Sequence, residues 1–147
     1  MAGTYKHTEN ISYSNNSGVI TSGSRQILGD AEYNVTVTVP ASTTNQEVDI
    51  AFLLPSGSVV AGTALGLQSL CIQNGQTGSS GACTLLTNST GSPSDTKALA
   101  AGAALIWNNQ HPEAVPFTAA VTKFFITTTT SPTTLVFGVL VNLIPGG

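Results

Sequence analysis

Charge is what this sequence has least of. Eleven of its 147 residues are charged, four basic (Lys6, Arg25, Lys97, Lys123) and seven acidic, whereas an ordinary soluble domain is about a quarter charged. With a net charge of −3 and no basic cluster, the chain has nothing to neutralise a run of phosphates, which excludes nucleic-acid binding as a main role. Long apolar runs are missing too. The most apolar stretch, residues 135–144, is 10 residues long, half of what a spanning helix needs, so no membrane partner is expected. The opening MAGTYKHTEN lacks the basic segment and apolar stretch of a signal peptide, and synthesis in a cytosol is the expectation.

Chemistry-bearing residues are equally sparse. There are two histidines, His7 and His111. A zinc site takes three or four ligands, usually with short paired spacings, and His111-Pro112-Glu113 offers one histidine and one carboxylate. Glu47 and Asp49 alternate outward on one strand about 7 Å apart, which reads as a solvated face rather than a catalytic pair. No Gly-x-Ser-x-Gly, P-loop or Gly-x-Gly-x-x-Gly occurs, so neither a nucleophile elbow nor a phosphate cradle is built in. A non-enzymatic protein without metal or cofactor is the expectation.

What fills the sequence is 21 threonines and 15 serines around a hydrophobic fraction of 41%, too apolar for a disordered chain. Apolar and polar residues alternate with period two, the mark of a strand half in core and half in water. In residues 32–39 (EYNVTVTV), Tyr33, Val35, Val37 and Val39 share a face before Pro40 ends the ladder. Residues 47–54 (EVDIAFLL) point Val48, Ile50, Phe52 and Leu54 inward, and residues 121–128 and 134–144 repeat the pattern. Weaker strands fall at residues 18–28, 67–73, 83–88 and 103–107, separated by Asn, Gly, Ser and Pro clusters. About eight short strands in one domain predict an all-β, jelly-roll-like single-domain sandwich over residues 15–147. Alanine content at residues 94–104 predicts the one helix, with a short helical turn at residues 117–122 as the alternative. Residues 1–14 lack a sustained pattern and read as an extended N-terminal arm.

Two features of that layout point to contacts rather than chemistry. The arm carries Tyr5, Ile11 and Tyr13, which need cover when it orders. The final strand sets Val136, Leu140 and Ile144 against Leu135, Phe137, Val139, Val141 and Leu143, and one small sandwich covers only one of those faces with its own second sheet. These six residues (Tyr5, Ile11, Tyr13, Val136, Leu140, Ile144) are the candidate subunit or capsid contacts. Cys71 and Cys83 flank a glycine- and serine-rich stretch. A hairpin centred near Thr77 would bring them within disulfide reach and add about 3 kcal/mol, whereas a reducing cytosol keeps both as thiols. Both states stay open. Trp107 shares a strand face with Leu105, as a core anchor does more often than a sugar-stacking platform. Sequons at Asn10, Asn15, Asn34 and Asn88 are what an Asn-, Ser- and Thr-rich chain makes by chance.

Several segments taken in order are familiar. They are residues 4–14 (TYKHTENISYS), 29–52 (GDAEYNVTVTVPASTTNQEVDIAF), 69–73 (SLCIQ), 86–95 (LTNSTGSPSD), 101–109 (AGAALIWNN) and 117–127 (FTAAVTKFFIT). Together they resemble small virion structural proteins of tailed bacteriophages. The likeness spans most of the chain and departs between Cys71 and Cys83, where this chain carries a longer Gly/Ser loop. The resemblance implies a β-sandwich decoration, or cement, protein bound outside a phage head at capsid-subunit junctions. It implies the major capsid protein and further copies of the same chain as partners, a trimer, and residence in the virion after synthesis in the host cytoplasm. The alternatives are a carbohydrate- or cell-surface-binding β-sandwich module and a small jelly-roll shell-forming coat protein.

Overall fold

A computed structural model describes residues 5–52, 54, 66–76 and 81–142 of the chain. They form ten strands: β1 (Tyr5–Asn15), β2 (Gly18–Gly29), β3 (Ala31–Val39), β4 (Gln46–Val48), β5 (Gly66–Asn74), β6 (Cys83–Thr87), β7 (Thr96–Leu99), β8 (Ala104–Asn108), β9 (Phe124–Thr128) and β10 (Thr133–Asn142). The protein is all-β, with no helix among the described residues. Eight strands make two four-stranded antiparallel sheets in the orders β3-β10-β5-β8 and β4-β9-β6-β7, while β1 and β2 form a separate hairpin.

Period-two alternation puts one face of each sheet into a shared core. Leu135, Phe137, Val139 and Val141 of β10 and Leu70 and Ile72 of β5 belong to the same buried cluster as Leu85, Phe124 and Ile126 of the second sheet. Phe124 sits at its centre, with ring centroids 5.9 Å from Phe117, 6.3 Å from Phe52 and 5.4 Å from Phe137. Edge and tilted geometries of this kind suit aromatic quadrupoles better than flat stacking.

Strand faces follow the sequence more closely than strand lengths do. Ile50 and Phe52 are buried as their alternation requires, yet the strand ends at Val48 and Phe52 makes only an isolated bridge to Val121. Tyr33 and Val35 lie opposite core-facing Val139 and Phe137 but stay exposed, because β3 is the edge of its sheet and no strand flanks them on one side. The helix expected at residues 94–104 is absent. Thr96–Leu99 pairs with β6 as β7, and Ala104 opens β8. Ladder hydrogen bonds on two sheets outweigh the small helix preference of alanine. Residues 117–122 hold bends and the bridge at Val121 rather than a helical turn.

Phe124→Ala should lower stability by about 3–5 kcal/mol, the range for emptying a fully packed aromatic site, whereas Val136→Ala on the open sheet face should stay within about 0.5 kcal/mol. Urea unfolding followed by Trp107 fluorescence compares the two. Equal midpoints would contradict the core described.

Candidate functional site

Of the residues expected to form an arm, those described, 5–14, belong to the first strand of the hairpin. Its two sides differ. Along β1 the side chains of Tyr5, His7, Glu9, Ile11 and Tyr13 share one face, opposite Gly29, Ile27, Arg25, Gly23 and Thr21 of β2. Lys6, Thr8, Asn10 and Ser12 occupy the other. The first face lies on the outer side of the β3-β10-β5-β8 sheet. His7 Nδ1 is 3.0 Å from Ser69 Oγ and its Nε2 is 3.1 Å from Glu32 Oε1. Glu9 Oε1 is hydrogen-bonded to His111 Nε2, and its Oε2 lies 3.3 Å from Arg25 Nε. Gln110 Nε2 donates to the carbonyl of Gln26 at 2.9 Å, and Arg25 Nη1 donates to that of Gln110 at 3.1 Å.

This packing changes the reading of the final strand. Leu140, expected as a subunit contact, is fully buried within its own chain. A Cβ added to Gly29 would sit 2.7 Å from Leu140 Cγ, so only glycine lets β2 approach the sheet this closely. The hairpin supplies the cover that a partner was expected to give. Val136 remains exposed, and Ile144 lies outside the described residues. Tyr5, Ile11 and Tyr13 are all exposed, Tyr13 most of all at 66%.

Beneath the free edge of β1 runs a cavity of about 420 Å³ whose lining includes His7, Glu32, Asn34, Cys71, Asn108 and Gly138. Ser69, His7 and Glu32 form a hydroxyl–imidazole–carboxylate row, the order of groups that activates a serine in hydrolases. Here Ser69 is 7% exposed on an interior strand paired on both sides with Leu140 and Asn108. Its neighbouring backbone N–H groups are committed to those ladders, and acyl transfer needs free donors aimed at one developing oxyanion. The row acts as a clamp between hairpin and sheet. No group of three or more His, Cys, Asp or Glu able to hold a metal occurs among the described residues.

Sequence reasoning placed His7 in an arm and found too few ligands for a metal at His111, and missed that both face glutamates at this one junction. Residues separated by 62 and 102 positions meet there, and no local spacing signals such contacts. The hairpin expected between the two cysteines is absent. Cys71 and Cys83 are both free, because β5 and β6 belong to different sheets and form no hairpin, and Cys71 lies on the outer side of its sheet while Cys83 lies between the two. Cys71 borders the cavity under β1, whereas Cys83 is in the core. Trp107 is buried and its indole N–H donates to the carbonyl of Glu113 at 3.1 Å. Asn88, one of the sequons, is tied into its turn. Its Nδ2 donates to Ser94 Oγ and the Ala120 carbonyl, and its Oδ1 accepts from Thr122. Glu47 pairs with Lys123 at 2.8 Å on the surface, consistent with a solvated face.

Comparison with protein-family models, with curated proteins and with solved structures gives no match.

Burial pushes the Glu9 carboxyl pKa up, but hydrogen bonds from His111 and Asn108 and the charges of His111 and Arg25 outweigh it, leaving a value below the ordinary one. A carboxylate held low when folded adds stability above its unfolded value, about 4.3, and loses it as pH falls through the folded value. Amide-exchange protection of Ile27 and Gly29 should therefore hold at neutral pH and fall below about pH 4. Glu9→Gln should start lower and flatten that profile; identical profiles would remove Glu9 from the junction.

Burial also pushes the Cys83 thiol up to about 11 and raises that of Cys71, so neither is a ready thiolate at neutral pH. Without reductant, maleimide should label the folded protein slowly and label both thiols once urea unfolds it. A chain that takes no label after unfolding would hold the disulfide that this fold excludes.

Proposed function

We propose that this chain is a non-enzymatic structural protein of a bacteriophage virion, a decoration protein that binds the outside of the head at capsid-subunit junctions. The observation that carries the reading is an all-β sandwich from which the uncharged outer half of a hairpin stands out. Every described side chain in residues 10–24 is exposed, and none of those residues is charged. Protruding, already paired β structure adds contact area without enlarging the core.

The strand order supports the same reading. Numbered from β3, the eight sandwich strands run 1-8-3-6 in one sheet and 2-7-4-5 in the other. We read this as the order of a jelly roll, an architecture used by viral capsid and lectin domains. The lectin-like alternative asks for an exposed aromatic platform in place of Trp107, whose ring is buried. The resemblance to phage virion proteins supplies the capsid partner, the virion location and the number three for the assembly.

Partners meet uncharged surface in this reading, so packing and Thr, Ser and Asn hydrogen bonds hold them. Salt screens long-range charge attraction, and here there is little to screen. Titrating the protein onto purified phage heads should give an affinity that changes little between low and high salt, with added density at fixed positions on the shell in cryo-EM. Binding that collapses in moderate salt, or no particle binding at all, would overturn the assignment.

A further inference from the structure

The hairpin keeps one side-chain alternation from Tyr5 to Tyr13 but is covered over only part of it. On its sheet-facing side, Ile27 is 2% exposed, His7 and Glu9 are half-buried, and the same row continues with Ile11 at 43% and Tyr13 at 66%. No irregularity in register intervenes between Tyr5 and Tyr13, so Ile11 and Tyr13 point the way His7 and Glu9 do. The side that carries Lys6, Thr8, Asn10 and Ser12 is polar over the outer half of the hairpin, where Gln26, Ser24 and Ser22 stand opposite Thr8, Asn10 and Ser12, and its apolar residue at the base is Leu28. An alternation of this kind is the signature of a strand laid on an apolar surface, and in the single chain the outer part has no surface under it.

The surface that this side of the hairpin rests on is the outer face of the β3-β10-β5-β8 sheet, and part of that face is open. Thr36, Val136, Gln73 and Ala104 lie in one row across the four strands, beside Ile106 on β8. All five are exposed, with Val136 at 42% and Ile106 at 54%. The row is uncharged, as are residues 10–24. The ion pair of Glu9 and Arg25, the last charges before the tip, marks where the intramolecular contact stops.

We infer that the outer half of each hairpin docks on the open sheet face of a second copy of this chain, with Ile11 and Tyr13 packed against Val136 and Ile106. The occupant is a second copy because the receiving face is continuous with the one the same hairpin already covers in its own chain, and both surfaces lack charge. The two patches are different parts of the molecule, so copies join either reciprocally about a two-fold axis, each tip on the other's face, or head-to-tail around a ring. The inference rests on the self-association included in the proposed function and specifies its surfaces.

Mass measurement in solution on the full chain tests it. The unaltered protein should form an assembly, and Ile11→Asp in the tip or Val136→Asp on the face should each reduce it to the 15.0 kDa monomer. Mixing the two variants should restore a one-to-one dimer and nothing larger, because one intact tip meets one intact face. The milder Tyr13→Ser and Val136→Thr, whose folding is checked by circular dichroism, should weaken assembly in the same sense if either aspartate variant fails to fold. A monomeric unaltered protein, an assembly that survives both folded variants, or folded monomeric variants that do not recombine would each overturn the inference. Titration onto phage heads separates the two readings. A monomer that binds heads through its tip sinks the inference alone, with capsid protein as the tip's occupant, and an assembly that binds no head sinks the decoration role alone.

Discussion

Strand β10 carries Leu135, Phe137, Val139 and Val141 toward one side and Leu140 toward the other, and all five are fully buried. A strand with apolar residues on both faces needs three layers where a sandwich supplies two. The second sheet covers one face, and the hairpin crosses the other with Gly29 pressed against Leu140. Withdrawing Leu140 from water contributes about 1.5–3 kcal/mol, enough to fix where the base of the hairpin lies. The position of β1, the cavity beneath its edge and the direction in which the tip projects all follow from that seat.

Polar fasteners then set the hairpin's register on the sheet. In a chain with so few charges, Glu9, Arg25 and Glu32 meet both histidines at this junction. Exposed ion pairs add little, but these groups are half-buried and joined by hydrogen bonds, where losing one partner strands another in a poor solvent. The remaining charges are spread thinly. Lys123 reaches Glu47, Lys97 lies 5.8 Å above the Phe117 ring, and Asp95 accepts from the Thr118 N–H. Charge serves here to lock internal contacts, which leaves residues 10–24 and the open sheet face to Thr, Ser, Asn and aliphatic side chains.

Strand faces were legible wherever burial alternated with β-branched or aromatic residues, as at Leu135–Phe137–Val139 or Phe124–Ile126. Where the core-facing positions are polar, that signal fails. Strand β1 places His7 and Glu9 on its covered side, so the row from Tyr5 to Tyr13 is broken in the middle by two polar residues and residues 1–14 read as an extended arm. Alanine misled in the opposite direction at residues 94–104, because propensity is local and the pairing of Thr96–Leu99 with β6 is not. Cys71 and Cys83 looked like hairpin partners because the stretch between them is rich in turn residues. Strand β5 ends at Asn74 in one sheet and β6 begins at Cys83 in the other, and sheet membership is written in long-range packing that no spacing rule reads. The clamp at His7 and His111 was invisible for the same reason.

Projecting a hairpin differs physically from projecting a single arm. A flexible arm loses backbone freedom at about 1–2 kcal/mol per residue when a partner orders it, and that cost subtracts from the contact it makes. In β1 and β2 the cross-strand ladder has already met much of this cost during folding, so a partner surface gains more of the apolar area offered by Ile11 and Tyr13. The exposure carries a hazard, since a free strand edge is a template for open-ended pairing. The register shift between Tyr13 and Ser14 interrupts the flat edge near the tip, as bulges do elsewhere. Side-chain docking through the face remains available, while extension through the backbone edge is discouraged. A tip built this way favours a bounded assembly over an indefinite one.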